Sequence, residues 1–344
     1  MKKISYLVII LALASSCTST LYTSIDVLRP AKVSFDKSAK NLLILNNTVI
    51  QPANYGHVSN LLGEKKKNVA INTDSLSYFC LSVVNEEFQK KEFFDNTYLK
   101  LSSTNNGGSF LIAQQPPSDT VRALASKFDV DAILSLDKLK VNDQIIEYYN
   151  EGNGSFYALL EANYESSWTV SYPKLNKSTS FSFKDTIYWD YESFQRKKAL
   201  ESLPNRYNAL IDGALYVGQN TMKKLVPWWD KEDRYFFQTD NKIMTHGMDS
   251  VYTKNWKAAI EIWESGLIKS KKTLQAKLLH NMAIAYEISG DMNKAMEYSK
   301  KSISVFLENS MVNYNNFFII KQYEQLLNNR ITEIKKINEQ LGVE

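Results

Sequence analysis

Cysteine is nearly absent: Cys17 and Cys80 are the only two in 344 residues, and histidine is limited to His57, His246 and His280. So small a supply excludes a disulfide framework and a local Cys/His zinc cluster. The histidines sit singly in unrelated segments, so a metal site or a serine triad would have to be assembled from residues far apart in the chain. Motif glycines are missing too. There is no Gly-x-Gly-x-x-Gly, no phosphate loop ending in Lys-Ser or Lys-Thr, no Gly-x-Ser-x-Gly and no His-Glu-x-x-His. Carboxylates such as Asp129 with Asp131, or Glu86 with Glu87, are sequence neighbours, whereas glycosidase chemistry needs two acids across a cleft. No catalytic, metal-binding or cofactor-binding residue is assigned, and the chain reads as a non-enzyme. An excess of one charge is also lacking, with 41 Lys and Arg against 37 Asp and Glu, which gives nucleic acid no electrostatic footing.

The N-terminus carries the first positive signal. Lys2 and Lys3 precede an apolar stretch from Ile4 to Ala14, then Ser15 and Ser16 lead into Cys17. A run this short with such flanks is an export signal rather than a membrane span. It resembles a bacterial lipoprotein signal, although Leu13 falls one residue early and Ala14 stands where leucine is commoner. The resemblance implies cleavage before Cys17 and lipid on its sulfur, an attachment that several buried acyl chains make effectively permanent. Thr18, Ser19 and Thr20 include no Asp of the inner-membrane retention kind and no acidic cluster, so the expected location is the outer membrane, facing the periplasm. Cys80, between Phe79 and Leu81 in a helical pattern, reads as a buried small hydrophobe.

From Ile25 to Phe35 apolar residues alternate around a Pro-Ala turn, and Leu42 to Leu45 form a compact apolar run bounded by asparagines, the mark of a buried central strand. Residues 51 to 70 read as a loop. Asp74 is placed to cap a helix bearing Leu76, Phe79, Cys80, Val83, Val84 and Phe88 on one face, and Tyr98 to Leu101 reads as a short strand. A second helix with Val121, Leu124, Ala125 and Phe128 runs straight into an apolar strand, Asp131 to Leu136, as in an α/β unit. Residues Ala125 to Leu134 resemble the segment of curli-secretion and penicillin-binding-protein-activator lipoproteins in which a helix, an Asp-Ala step and a strand precede a β meander. Such a meander follows here. Ala158, Leu160, Ala162, Tyr164, Trp168, Val170 and Tyr172 alternate, and after the turn at Pro173 the phase resumes with Phe181, Phe183, Ile187 and Trp189, giving a long antiparallel hairpin over 156–189. At about 3.3 Å per residue its first strand is long enough to call for a bulge or bend. The aromatic stripe reads as core packing, with a sugar platform as the alternative.

Residues 193–225 are helical in pattern, interrupted at Pro204 and Gly213, and Pro227 to Phe237 then packs aromatics around a single arginine. Trp228, Trp229, Arg234 and Tyr235 are the candidate partner or junction contacts, with Arg234 expected to stack on the tryptophans and join two domains. Beyond them a pattern repeats at a period of 36 residues: Ala259, Trp263 and Gly266, then Ala295, Ser299 and Ser302. Leu279, Met282, Ala283 and Tyr286 share a helical face and Gly290 ends that helix. This resembles a tetratricopeptide repeat over roughly residues 240–305, and Val312 to Leu341 reads as a closing helical pair. The whole layout resembles a group of uncharacterised Gram-negative lipoproteins, which implies architecture and not activity.

The expected organisation is a signal peptide over 1–16, a tether over 17–24, an α/β domain over 25–225, an aromatic junction over 226–238 and helical repeats with capping helices over 239–344. The fold class is α+β or α/β in the N-terminal part, with the long hairpin, followed by an all-α repeat domain. The expected function is a cell-envelope lipoprotein whose repeats bind a protein or peptide. An envelope-polymer hydrolase with an acid pair assembled by folding, or a subunit of an oligomeric envelope assembly, are the alternatives.

Overall fold

A computed structural model describes residues 20–105, 107–308 and 314–343; the segment expected to be a signal peptide, and Cys17, lie outside them. The chain divides into an α/β unit, Ala31–Val226, and a second unit formed by the segments on either side of it. The fold class is that of an N-terminal α/β region followed by an all-helical region.

In the α/β unit the strand expected from the asparagine-bounded run is β2, Asn41–Asn46, following a strand β1 that belongs to the second unit. Leu42, Leu43, Ile44 and Leu45 are all fully buried, and each such side chain contributes about 1.5–3 kcal/mol by leaving water. β2 lies between β5, Asn96–Lys100, and β6, Ala132–Asn150, both parallel to it. Short strands β3, His57–Asn60, and β4, Lys67–Asn68, fall inside the expected loop and extend the sheet along the far half of β6. Helix α1, Leu76–Lys90, buries Leu76, Cys80, Leu81, Val84 and Phe88. Its N-cap is Ser75 rather than Asp74, and no side chain caps it. Cys80 is fully buried and its thiol is pushed up to about 12, chiefly by that burial. Helix α2, Ser118–Phe128, ends on Asp129 in the left-handed conformation and leads into β6.

β6 is far longer than the run Asp131 to Leu136 that announces it. It continues as the antiparallel partner of β7, Ser155–Tyr172, which pairs in turn with β8, Lys177–Ser193, across the short 3-10 turn Pro173–Leu175. The expected irregularity exists, but on the partner strand: the register shifts between Leu136 and Lys138 of β6, whereas β7 is continuous. Tyr164, Trp168 and Tyr172 are buried in the core with Leu42, Ile44 and the helix Arg206–Leu225. That helix, α4, follows the short α3, Arg196–Glu201, and Pro204 lies between them. Gly213 does not interrupt α4. It lets Tyr164 approach so closely that a Cβ would stand 2.3 Å from the phenol oxygen, which donates to Leu210 O at 2.7 Å.

Among the described residues, the second unit is built on a two-stranded ribbon and five helices. Strand β1, Thr20–Arg29, pairs antiparallel along its whole length with β9, Trp228–Phe237. Residues 20–24, expected as a tether, are therefore strand, and so is most of the expected junction. α5, Lys242–Tyr252, and α6, Trp256–Gly266, form one helical hairpin; α7, Lys272–Ile288, and α8, Met292–Leu307, form another. Side chains of Asn241, Asn255 and Asp291 cap three of these helices at the N-terminus. Gly247 lies against Trp263 in the first hairpin, where a Cβ would fall 1.9 Å from the indole nitrogen. The closing segment is one helix, α9, Tyr314–Leu341, and not a pair, because its apolar residues Ile320, Tyr323, Leu327 and Ile337 stay in helical phase without a break.

Candidate functional site

The alternation of β9 decides where the aromatic-arginine cluster points. Trp228, Glu232, Arg234 and Phe236 share one face of the strand; Trp229, Asp233 and Tyr235 share the other. Trp229 is 67% exposed and Tyr235 packs edge-on against Tyr22, its cross-strand partner, at 4.0 Å between centroids. Trp228 shares the face of Arg234 but lies six residues, about 20 Å, along the strand. The tryptophans and the arginine thus do not assemble into one stack.

Arg234 is 1% exposed and grips carboxylates instead. Its Nε and Nη2 donate to Glu287 of α7 at 2.7 and 2.6 Å, and Nη1 donates to Glu232 at 2.8 Å. Glu287 accepts a third bond from the Tyr323 hydroxyl of α9 at 2.9 Å. Burial, and then the Glu287 charge, hold that hydroxyl well above the usual tyrosine range. Arg29 of β1 pairs with Glu232 and with Glu333 of α9, and Arg330 of α9 donates to Leu28 O at 2.9 Å. A continuous charged chain therefore fastens the ribbon to α7 and α9. Removing one member of such a buried pair costs about 3–5 kcal/mol, because the other is left charged and without a partner.

α7 also holds the end of β9 by its backbone. Asn281, fully buried, accepts from Phe237 N at 2.8 Å and donates to Phe237 O at 2.9 Å. His280 Nε2 meets Tyr235 O at 3.0 Å, so this nitrogen carries the proton and donates. Its Nδ1 is buried without a hydrogen-bond partner, and burial pushes the imidazole down to about 4, which keeps it neutral near pH 7. This face of α7 is occupied by the chain's own strand.

Two clefts flank the ribbon. One, of about 310 Å³, has Tyr22, Tyr235, Ile319, Tyr323 and Leu326 on its walls, with Arg234 and His280 among its lining residues. The other, of about 480 Å³, runs beside β1 and meets Trp256, Ile288, Met292 and Ile334. Glu287 reaches the second cleft, but its charge is already committed to Arg234. Among the described residues no cluster of three His, Cys, Asp or Glu side chains is placed to hold a metal ion. The sequence points to Arg234 and Tyr235 but gives no sign of Glu232, His280, Glu287, Tyr323 or Arg29 as their surroundings. The one available hint is Glu287 itself, an acid inside the apolar run Ile284 to Ile288 of a helix that is buried on most sides.

The chain belongs to the family described as Domain of unknown function (DUF8603), which matches residues 39–237, more than half of its length. A second family, Domain of unknown function (DUF6340), matches residues 245–329, within the helical segment. No curated protein matches the sequence. Among solved structures the chain is similar to that of a homolog of the neuraminyllactose-binding hemagglutinin from Helicobacter pylori, at 12% identity over 54% of this chain and 87% of that one, with a TM-score of 0.26. A likeness at that score carries no argument here.

Proposed function

We propose that the protein is a non-enzymatic lipoprotein of the cell envelope, anchored through lipid on Cys17 to the periplasmic face of the outer membrane, and that its helical unit holds a protein or peptide partner. The observation that carries this reading is the cleft of about 310 Å³ between the ribbon and α9. Its walls are apolar and aromatic, and the polar groups around it are largely satisfied by one another, which suits insertion of an apolar or aromatic side chain better than bond-breaking chemistry. The hairpins α5/α6 and α7/α8 support kinship with tetratricopeptide repeats, whose stacked pairs offer grooves to peptides. Asn281 holding both backbone groups of Phe237 supports the idea that α7 is suited to extended peptide, here its own strand.

The test replaces Leu326 by Arg, which fills the cleft without touching the ion chain. Wild-type and variant chains, both extracted from membranes after proximity labelling, are compared for the proteins they capture, with helical content checked by circular dichroism. Loss of one partner from the folded variant supports the reading; an unchanged partner set sinks it. The anchor is tested separately. Cys17→Ala is expected to leave the membrane fraction, and a variant that still sediments with outer membranes after high-salt washing would show that something other than lipid holds it.

A further inference from the structure

β8 forms the edge of the α/β unit's sheet. It pairs with β7 from Tyr172↔Lys177 to Phe156↔Ser193, and among the described residues no strand pairs with its other side. At about 3.3 Å per residue, its 17 residues leave more than 50 Å of outward backbone donors and acceptors. Its charged residues, Lys177 and Lys184 among them, are the one protective device of an edge that it carries. The strand contains no proline, keeps one unbroken register with β7, and is long rather than short. Its outer-face residues Lys184, Thr186, Tyr188 and Asp190 are all exposed.

We propose that this edge is an interface between two copies of the chain, β8 pairing antiparallel with β8 of the second copy around a two-fold axis. The inference stands apart from the helical cleft. Symmetry and charge select the register. A two-fold axis normal to the sheet keeps each face on its own side, so opposed residues must have numbers of the same parity. Centring on Lys184 or Asp185 sets like charges against each other, which destabilises an antiparallel pair. Centring on Thr186 pairs no charges. Centring on Ile187 sets Lys184 of each copy against Asp190 of the other, with Phe183 opposite Tyr191 on the other face. Centring on Tyr188 would oppose Lys184 to Glu192 and shorten the overlap to residues 183–193; Glu192 Oε1 already accepts from both Asn153 and Ser155, whereas Asp190 accepts one bond, from the Tyr157 hydroxyl at Oδ2, and keeps Oδ1 for Lys184. The pairing centred on Ile187 spans residues 181–193 in both copies.

The experiment uses the full chain carrying Cys17→Ala, with Ile187→Cys added for crosslinking; Cys80 is buried and does not compete. Sedimentation equilibrium is expected to show a concentration-dependent dimer. Lys184→Asp should weaken it at least tenfold, and Lys184→Asp with Asp190→Lys should restore it. Mild oxidation should link Ile187→Cys chains into a reducible dimer, because opposed residues lie about 4.5–5.5 Å apart at Cβ. Lys184, Tyr188 and Asp190 are exposed, whereas Ile187 is half-buried against the core, so unchanged circular dichroism is required of every variant and of Ile187→Cys above all. A chain that stays monomeric at all concentrations, a dimer indifferent to Lys184→Asp, or crosslinking through Tyr188→Cys but not Ile187→Cys would each overturn the proposal.

Discussion

Each unit buries an arginine-carboxylate pair that ties a strand to a helix, and the pair in the helical unit borders a cleft of about 310 Å³. In the helical unit Arg234 of β9 meets Glu287 of α7, with Tyr323 as the third member. In the α/β unit Asp143 of β6 meets Arg206 of α4, with His57 of β3 as the third, and Arg206 Nη2 donates to Val58 O at 2.7 Å. The arginines differ in burial. The Arg234 side chain is 1% exposed, whereas that of Arg206 is 13% exposed. A buried ion pair by itself therefore says little about function, and the two pairs differ in how far each arginine is shut off from water.

Glu287→Ala gives the largest expected effect. It leaves Arg234 with Glu232 and the Asp233 carbonyl, both on Nη1, and frees the Tyr323 hydroxyl, so the helical unit should lose about 3–5 kcal/mol, read as faster amide exchange in α7 and β9. Asp143→Ala should cost the α/β unit less, because Arg206 can reach water. Equal losses, or a reversed order, would break the comparison. Replacing the whole trio, with Arg234→Met, Glu287→Leu and Tyr323→Phe together, should recover most of the loss, since apolar groups of similar size need no partners.

A pH series sharpens the same contrast. His280 is held neutral by burial, its folded pKa about 4 against an ordinary 6.5. With the folded value below the unfolded one, the unfolded chain binds the extra proton first, so stability is whole above pH 6.5 and falls as pH drops toward 4. The loss approaches about 3 kcal/mol at most. His280→Asn should flatten that part of the curve for exchange in the helical unit. Identical acid profiles for variant and wild type would mean that the imidazole is not held neutral.

Legibility in the sequence followed distance along the chain. Leu42 to Leu45, the alternation of β7 and β8, and the turn at Gly290 are local patterns, and each appears where the sequence places it. β6 beyond Leu136 is not legible, because Asp137, Lys138 and Asp143 break the apolar alternation. Their partners are remote: Thr169 donates to Asp137 at 2.6 Å, Glu165 pairs with Lys138 at 2.8 Å, and Arg206 binds Asp143. The ribbon is the extreme case. Tyr22 and Tyr235 are paired across an entire intervening unit, and no periodicity within either strand shows it. For the same reason Arg234 could be singled out as a lone charge among aromatics, while its true partner Glu287 could not.

Glycines that admit an aromatic ring occur in both units, and they should respond alike. Gly213→Ala would drive a Cβ into the Tyr164 phenol, and Gly247→Ala would drive one into the Trp263 indole. Overpacking of this kind costs about 1–3 kcal/mol. Melting of each variant by calorimetry measures it. A neutral Gly247→Ala would show that the first hairpin can open, or Trp263 move, by more than about 1 Å where the α/β core cannot.

Gly290 is the counter-case, and its asparagine variant should give the smallest effect of these substitutions. A Cβ there would meet nothing within 4 Å, so space is not the constraint; its φ of +87° is. The left-handed turn lets Asp291 N reach Tyr286 O at 2.9 Å, closing the C-terminus of α7 with the bond that defines a Schellman end. Asp291 then caps α8 through Lys294 N, also at 2.9 Å, so one residue ends a helix and its neighbour starts the next. A β-branched side chain at positive φ is a steric outlier, and Gly290→Val should cost the helical unit about 1–3 kcal/mol. Gly290→Asn should cost less, since asparagine tolerates this region. That order, valine worse than asparagine, separates a backbone cause from a packing one. If both variants melt like the wild type, the turn between α7 and α8 does not depend on the left-handed conformation. Should asparagine prove as harmful as valine, the side chain would be striking a neighbour, and the difference drawn between Gly290 and Gly213 would fail.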